Sequence, residues 1–392
     1  MQRRSATQEH VMALACRPSL LLILTLGAAA SSVSADDNVR PGAECRVHVP
    51  IVFGHRGASG ALPEHTARAF ELAIDLGADF IEPDLVSTKD GHLVVRHENN
   101  IKDTTDVAQH PEFADRQVTK LVEGVEETGW FTEDFTLAEL KTLRAVERLA
   151  ELRPGNTASD GLHALLTLDE VIAIAQRRGV GIFPELKKPT WFREIGLPME
   201  ETLVASMHAH GYVKASDPAF LQSFDPASLQ RLSKLTALRL VQAVNTPEVV
   251  PYAFTQSGDP RTYGDLLTPE GLQYVAGYAA AIGPEKNLLI PRADDGSLQA
   301  PTHLLDDAHH AGLEVYAYTF RRENAFLPLD FRLGDPESPF YDQATGDIAA
   351  EYRRFYELGV DGVWSDNPDT AVAVRRTVFP PLGPSDPAHP RR

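Results

Sequence analysis

The stretch IEPDLVSTKDGHLVVRHE, residues 81–98, combines two acids, a turn signal and a histidine in one short segment. The Asp-Gly pair at 90–91 is a strong two-residue turn signal between β-prone runs, so it predicts a hairpin. In that register Asp84 lies opposite His97. Glu82 and Asp84 are two residues apart, so on a strand their side chains share one face. The stretch therefore predicts a strand whose end gathers acids and a histidine.

The same kind of apolar run recurs along the chain and alternates with helix-like segments. Eight strand–helix units predict an α/β fold, a (β/α)8 TIM barrel, with a doubly wound open sheet as the alternative. The expected strands are 51–55, 80–86 with its return 93–97, 181–186, 220–223, 237–241, 280–282, 313–319 and 362–365. The expected helices are 66–76, 168–178, 200–210, 226–234, 269–277, 302–311 and 348–358.

Two segments depart from this alternation. Residues 99–166 are long and rich in charge, and loops of that length in compact domains are usually functional or carry their own structure. We therefore expect a small inserted subdomain at 99–166, after the second strand, within a folded domain that covers 36–378. Residues 321–346 form a second irregular segment. The Pro-rich tail 379–392 is expected to be disordered.

The N-terminus has the pattern of a secretory signal peptide. Two arginines precede the apolar run 20–30, and small residues follow before Asp36, which predicts cleavage after Ala35. The run is shorter than the roughly 20 residues of a membrane span, so a membrane anchor is the weaker alternative. We expect segment 1–35 to direct export, to the periplasm rather than the medium. Cys45 would then be the only cysteine left, too few for an internal disulfide.

The charge of the chain limits its partners. The formal net charge is −18 at pH 7, from 55 acidic and 37 basic residues. A field of this sign opposes binding to nucleic acids and to anionic membranes, which requires basic patches. An anionic substrate would need a local positive site, and a metal ion provides one most compactly.

Carboxylates stand where the predicted strands end. In a (β/α)8 barrel these ends open onto one mouth, where active sites are assembled from several strands. Glu82, Asp84 and Glu185 have this position, and no thiol or closely spaced histidine pair accompanies them. Such a set suits a hard divalent cation, calcium or magnesium, better than zinc. A lone acid is more often a solvated surface group, but Glu82 and Asp84 interrupt an apolar strand.

Two histidines are candidates for acid–base chemistry. His55 and His97 stand at strand ends, and an unperturbed imidazole titrates nearer neutrality than any other side chain. The alternative for each is a hydrogen-bonded structural role. That structural or solvated role is the expected one for His65, His92, His163, His208, His210, His303, His309 and His310.

Cations and aromatic residues also fall at strand ends. Arg56 and Lys187 offer the positive charge that a phosphate oxyanion needs, although they could instead pair with the neighbouring acids. Phe320 and Trp364 are candidate walls of a small pocket, with packing in the barrel core as the alternative. The prolines beside the acids, at 83 and 184, lack a ladder donor and are expected to mark the end of the strand pairing.

Four sequence blocks resemble one known family in order. They are GHRGASGALPEHTARAF (54–70), GADFIEPDLVSTKDGHLVVRHE (77–98), FPELKKP (183–189) and GVDGVWSDNP (359–368). Together they resemble the glycerophosphodiester phosphodiesterases, and most closely the exported, periplasmic bacterial type. The first two blocks are highly specific, while the last two are weak alone. PEHT at 63–66 stands where PENT is commoner in the family.

The resemblance implies an enzyme that hydrolyses glycerophosphodiesters, such as glycerophosphocholine or glycerophosphoethanolamine, to glycerol 3-phosphate and an alcohol. It also implies a barrel with an insertion after the second strand, and one divalent cation on the three carboxylates, calcium more often than magnesium. The two strand-end histidines match the family's acid–base pair, and Arg56 and Lys187 match phosphate contacts. The expected partner is a small phosphodiester, without nucleic acid or stable membrane insertion; the oligomeric state is left open.

Two other functions remain open at this level. A phospholipase D-like phosphodiesterase acting on lysophospholipids predicts an exposed apolar rim around the mouth. A non-catalytic surface binding protein on the same fold predicts the loss of pocket residues, and none of those named above is missing.

Overall fold

The computed structural model describes residues 48–380. The expected signal segment 1–35, both cysteines and the tail from 381 onward lie outside the described residues. Within 48–380, no helix combines the length and the apolar character that a membrane crossing requires.

The strands close into the predicted (β/α)8 barrel. Each strand pairs in parallel with the next, and the last, β8, pairs with the first, β1, in the register Ile51 with Gly362. The strands are β1 Ile51–His55, β2 Phe80–Glu82 and Asp84–Ser87, β3 Gly181–Ile182 and Glu185–Leu186, β4 Phe220–Ser223, β5 Arg239–Val244, β6 Ala281–Pro284, β7 Glu314–Phe320 and β8 Gly362–Ser365.

Strands β2 and β3 are each interrupted at a proline. Pro83 and Pro184 have no N–H to donate, but their carbonyls still accept hydrogen bonds, Pro83 from Glu185 at 2.9 Å and Pro184 from Gln222 at 3.0 Å. The ladder then resumes, with Asp84 in register with Glu185. The expectation that these prolines end the strand pairing is therefore wrong.

Eight longer helices follow the strands and cover the barrel. Thr66 caps α1 by accepting a hydrogen bond from the Ala69 N–H, and a capping box at Thr167 begins α2. The eight helices are α1 Ala67–Asp75, α2 Leu168–Arg178, α3 Glu200–Ala209, α4 Pro226–Leu235, α5 Pro269–Ala276, α6 Leu304–His310, α7 Ile348–Leu358 and α8 Pro368–Val378. Helix α8 is absent from the sequence prediction, although Pro368 stands at its first position, where proline is favoured. Short α-helices in the connections are Pro189–Glu194, Tyr252–Ser257, Tyr263–Leu266 and Lys286–Leu289.

The hairpin at 81–98 forms with a register different from the predicted one. Ser87 pairs with Leu93 and Leu85 with Val95 in the return strand Leu93–Val95. The Thr88 N–H also donates to the His92 carbonyl at 2.9 Å, so the loop has three residues, 89–91, and Gly91 takes the left-handed conformation, φ 79°, that such loops require. The extra loop residue moves the pairing by one position, so Asp84 lies opposite Arg96 and not His97.

The insertion after the second strand carries its own small structure. It contains a two-stranded antiparallel hairpin, Val118–Val122 and Val125–Gly129, which we call the insertion hairpin. The remainder consists of short helical turns, at Val107–Gln109, Pro111–Arg116, Thr132–Asp134, Leu137–Leu140 and Pro154–Ser159. The second irregular segment holds two further 3-10 turns, Asn324–Phe326 and Leu329–Phe331.

Aromatic side chains fill the inside of the barrel. Phe53, Phe183, Phe220, Tyr316 and Trp364 form one buried cluster, and the Phe53 and Phe183 rings are centred 4.7 Å apart. A larger apolar layer separates the strands from the helices. The mouth at the carboxyl ends of the strands therefore rests on a rigid, packed floor.

Candidate active site

A cavity of ≈ 120 Å³ opens at the carboxyl ends of the strands. Parallel strands in a closed barrel bring these ends to one mouth. Seven of the residues singled out in the sequence line the cavity: His55, Arg56, Glu82, His97, Glu185, Lys187 and Trp364. Asp84 is buried and lies in register with Glu185.

Buried carboxylates converge on one side of this cavity. Burial, and then repulsion from Asp84 and Glu185, raise the pKa of Glu82 well above its usual range. Burial also raises the pKa of Glu185. Burial would raise the pKa of Asp84, but the charges of Lys187 and Arg56 outweigh it and hold that pKa well below normal, so Asp84 stays ionised. Arg56 and Lys187 pair with Asp84 and Glu185, yet the pKa values of Glu82 and Glu185 remain raised.

Two of these carboxylates, Glu82 and Asp84, lie close enough together to share a hard divalent cation, whereas Glu185 is not part of that close group. Oδ2 of Asp84 is buried and lies 3.1 Å from Nε of Arg56 and 3.2 Å from Nε2 of His65, but it accepts no well-aligned hydrogen bond within the described residues. One ligand atom from each of His65, Glu82 and Asp84 lies within 4.8 Å of the others. Oxygen ligands are those that calcium and magnesium prefer. A buried carboxylate oxygen without a well-aligned hydrogen bond, beside acids that repel it, is a group that a bound cation would satisfy.

His65 is a member of this cluster that the sequence analysis placed among structural histidines. Its Nε2 accepts a hydrogen bond from the Asp84 backbone N–H at 3.2 Å and lies 3.2 Å from Oδ2 of the same residue. It also adopts a left-handed backbone conformation, φ 60°, which is uncommon for a non-glycine residue. The sequence signal was the histidine in PEHT itself, at the position where the resembling family more often has asparagine.

His55 is oriented by a carboxylate from the far end of the chain. Its Nδ1 lies 2.6 Å from Oδ1 of Asp366, which directly follows β8. Oδ2 of Asp366 accepts hydrogen bonds from Arg153 at 2.6 Å and from Arg321 at 3.1 Å. Burial and the Arg56 charge lower the pKa of His55 to about 4, despite its hydrogen bond to Asp366. At neutral pH His55 is therefore an uncharged base with a fixed ring orientation.

His97, which also lines the cavity, has an equivalent arrangement. Its Nδ1 hydrogen-bonds to Glu98, and Arg148 of the insertion donates to Glu98 Oε1 at 2.7 Å. Arg148 also donates to Glu64 at 2.8 Å. Burial lowers the pKa of His97 to about 3, helped by the charge of Arg56, although 27% of its side chain remains exposed. Each histidine thus has a carboxylate partner, and each carboxylate is held by an arginine from the insertion.

The two predicted cations pair with acids of the site. Arg56 forms ion pairs with Glu64 at 3.0 Å and with Asp84 at 3.1 Å. Its backbone N–H donates to Oε2 of Glu82 at 2.9 Å, and its φ of 57° is left-handed. Lys187 pairs with Glu185 and lies 3.6 Å from Asp84. The ion pairs considered in the sequence analysis are present, and both cations still line the cavity.

Of the two aromatic candidates, only Trp364 lines the cavity. Trp364 lines the cavity, is 1% exposed, and its indole N–H has no acceptor within the described residues. Phe320 does not line the cavity. It is fully buried behind β7, where its ring stacks on Tyr352 at 4.9 Å and meets Phe355 edge-on. The expectation of Phe320 as a pocket wall is wrong, because its side chain points to the helix layer.

Further polar groups of the cavity were not anticipated from the sequence. Arg321 follows β7 and lines the cavity, and Gln222 at the end of β4 donates to Glu185 at 2.5 Å. The carbonyl oxygen of the Gln222 side chain has no donor within residues 48–380. Both residues stand at strand ends, which is the signal that could have identified them.

Comparisons with known proteins agree with this geometry. The sequence model of the "Glycerophosphoryl diester phosphodiesterase family" matches residues 55–370. A glycerophosphodiester phosphodiesterase of Arabidopsis thaliana is 37% identical over 332 residues, which cover 81% of this chain and 83% of that protein. One from Haemophilus influenzae is 28% identical over 348 residues, covering 82% of this chain and 88% of that protein.

Solved structures share the fold. An Oleispira antarctica phosphodiesterase, in complex with the product sn-glycerol-3-phosphate, superposes with a TM-score of 0.53 at 20% identity. The superposition covers 83% of this chain and 96% of that one. A glycerophosphodiester phosphodiesterase from Agrobacterium tumefaciens gives a TM-score of 0.51 at 20% identity, covering 83% of this chain and 99% of that one. At this identity the likeness supports the barrel fold.

The family match covers most of the chain, and relatives from a plant and from bacteria share it at similar coverage. The exported bacterial type therefore stays a prediction of the motifs. The enzyme class that they predict agrees with the family match and with the arrangement of the cavity. This chain belongs to the glycerophosphoryl diester phosphodiesterase family.

Proposed function

We propose that this protein hydrolyses small glycerophosphodiesters, such as glycerophosphocholine and glycerophosphoethanolamine, to glycerol 3-phosphate and an alcohol. The observation that carries the proposal is the cavity at the barrel mouth, where two carboxylate-oriented histidines face a cluster of acids and cations. The names of the Arabidopsis and Haemophilus relatives, and the product bound to the Oleispira protein, support the same substrate class.

We assign Glu82, Asp84 and Glu185 as the residues that would hold one divalent cation, with calcium favoured over magnesium. His65 then orients Asp84 through its hydrogen bond to the Asp84 backbone, since that contact engages the Nε2 lone pair. The bound cation would act as a Lewis acid on a phosphoryl oxygen. An all-oxygen ligand set suits calcium better than a transition metal.

The cations of the chain would bind the phosphodiester. Arg56, Lys187 and Arg321 line the cavity, and their charges would offset the charge that develops at phosphorus. Glycerol hydroxyls would satisfy two groups that lack partners, the Trp364 indole N–H and the carbonyl oxygen of Gln222. These contacts would fix the substrate between the two histidines.

The histidines would exchange protons with the substrate. Both are uncharged at neutral pH, so either can accept a proton from the attacking hydroxyl. The negative phosphodiester offsets the charge of Arg56, which raises the imidazole pKa and allows the other histidine to donate to the leaving alcohol. Asp366 and Glu98 hold the rings in position throughout.

His97→Ala tests this proposal against a non-catalytic binding role. We expect kcat on glycerophosphocholine to fall by about 100- to 10,000-fold, the usual contribution of a general acid or base. His92→Ala is the matched control, since His92 lies exposed in the turn of the same hairpin. Release of glycerol 3-phosphate measures both. Unchanged turnover in folded His97→Ala protein would contradict the catalytic assignment.

The location of the enzyme is proposed from the sequence alone. The leader pattern at 1–35 supports export, to the periplasm rather than the medium. Expression of the full chain with cell fractionation tests this: a processed protein in the periplasmic fraction is expected, and an unprocessed cytosolic protein would contradict it.

A further inference from the structure

A larger groove leads out of the catalytic cavity. It has a volume of ≈ 620 Å³, a size typical of small-molecule sites. The groove and the cavity share His97, Glu185, Lys187 and Phe224, so they are continuous. A phosphodiester bound in the small cavity would place one of its two ester substituents in this groove.

Glu123 of the insertion hairpin lines the groove without a partner of its own. It forms no ion pair or side-chain hydrogen bond within the described residues, although it is half-buried. Burial raises its pKa to about 7; Lys188 opposes this shift, and Asp225 adds to it. The two lysines of the groove are already engaged, Lys188 with Glu127 at 3.2 Å and Lys187 with Glu185.

The backbone at Glu123 is costly for this residue type. Glu123 and Gly124 form the two-residue turn of the insertion hairpin with φ of 50° and 83°. This is the type I′ pattern, where asparagine, aspartate and glycine are usual. For a glutamate, the left-handed backbone conformation at this position costs about 1 kcal/mol. Such strained positions occur preferentially where a side chain has a binding role.

Aromatic residues complete the groove. Phe224, Tyr252 and Tyr263 line it, and Tyr263 is fixed by donating to the Phe224 carbonyl at 3.0 Å. Asp225 adds a second acid, which also caps α4. Aromatic side chains together with an unpartnered carboxylate are the chemistry that recognises alkylammonium groups.

We propose that this groove binds the leaving alcohol of the substrate and that Glu123 selects alcohols carrying a positive ammonium group, such as choline or ethanolamine. The inference rests on the proposed glycerophosphodiesterase function and assigns the specificity-determining residue for it. Glu123 acts on the bound head group and takes no part in proton transfer, so its removal changes binding and leaves the chemical step intact.

The test compares two substrates of equal shape and different charge. They are glycerophosphocholine and the glycerol phosphodiester of 3,3-dimethylbutanol, in which carbon replaces the quaternary nitrogen. We expect the protein to prefer the choline ester by about tenfold in kcat/KM. Glu123→Gln should raise KM for the choline ester by about tenfold, with kcat unchanged and the neutral ester unaffected. Glu126→Gln, exposed on the same hairpin, is the control.

Several results would overturn the inference while leaving the proposed function in place. One is an equal kcat/KM for the two esters in the unaltered protein. Another is a Glu123→Gln variant that loses kcat/KM equally on both esters. Faster cleavage of lysophosphatidylcholine than of glycerophosphocholine would also overturn it, because the groove would then hold the acylated glycerol. Absence of hydrolysis of all three esters by the calcium-loaded protein would overturn the proposed function itself, and the inference with it.

Discussion

At the scale of single residues, the site depends on carboxylates that orient or crowd their neighbours. The sequence analysis identified the two histidines and the three acids, because they stand at the ends of recognisable strands. It did not identify Asp366 as the partner of His55, since the two are 311 positions apart and only barrel closure brings them together. The same holds for Arg321, which stands at a strand end within a segment that gave no regular pattern.

The crowding of acids predicts an unusual effect of Glu82→Gln. The pKa of Glu82 rises on folding, so at pH 7 folding must bind a proton or keep a third negative charge among buried acids. Glutamine removes this penalty and can still accept the hydrogen bond from Arg56. We expect metal-free Glu82→Gln to unfold at a higher temperature than the unaltered protein, because the variant has no buried carboxylate to neutralise.

The measurement is thermal unfolding in a chelator and then in calcium. Stabilisation by calcium should be large for the unaltered protein and small for Glu82→Gln, because one ligand is lost. Glu126→Gln, on the exposed insertion hairpin, serves as the control and should behave as the unaltered protein does. A metal-free variant less stable than the unaltered protein would argue against repulsion in the cluster.

At the scale of elements, the insertion contributes to the site as well as covering it. Arg153 donates to Asp366 at 2.6 Å and to Glu323 of the second irregular segment at 2.6 Å. It therefore connects both segments that interrupt the strand–helix alternation. The sequence predicted where these segments begin, but their contacts depend on side chains that approach only in the closed barrel.

Arg153→Met tests this connection. Breaking a buried ion pair by removing one partner typically costs about 3–5 kcal/mol, because the remaining carboxylates are left unpaired. Arg116→Met is matched to it: Arg116 also lies in the insertion and pairs with an acid, Glu139, but about a third of its side chain is exposed. The control should lose less than about 1 kcal/mol. Urea unfolding measures both, and equal losses would contradict the connecting role.

The hairpin shows where prediction from local pattern stops. The Asp-Gly signal was correct for a turn, but it did not distinguish a two-residue loop from the observed three-residue loop, which also contains Lys89. Oδ1 of Asp90 accepts hydrogen bonds from the Thr88 hydroxyl and from the backbone N–H of Leu137, which belongs to the insertion. His97 still lines the cavity because the chain leaves the ladder after Val95.

At the scale of the whole molecule, the fold was predictable because its pattern is repeated. Eight apolar runs separated by helical segments allow few closed arrangements, and the resemblance of four motifs to one family selected among them. The strand ends were correct within three residues, as in β5, which was expected at 237–241 and lies at Arg239–Val244. What could not be predicted was which side of a strand each terminal residue faces, as Phe320 illustrates.

The aromatic filling of the barrel should support the site mechanically. Phe183 is fully buried and stacks on Trp364 at 5.2 Å. Phe183→Ala is expected to cost about 3–5 kcal/mol, through lost burial and the cavity left behind. Phe340→Ala, at a ring that is 66% exposed, is the control and should cost less than about 0.5 kcal/mol. Guanidinium unfolding compares them; a small loss at Phe183 would mean that the barrel interior tolerates a void.

The most direct test of the whole account is glycerol 3-phosphate release from glycerophosphocholine by protein stripped of metal with a chelator. We expect activity to vanish on stripping and to return with calcium more fully than with magnesium, because the three carboxylates offer the oxygen ligands that calcium prefers. Full activity in the stripped, folded protein would contradict the role given to Glu82, Asp84 and Glu185. Inactivity with either cation restored would contradict the proposed reaction.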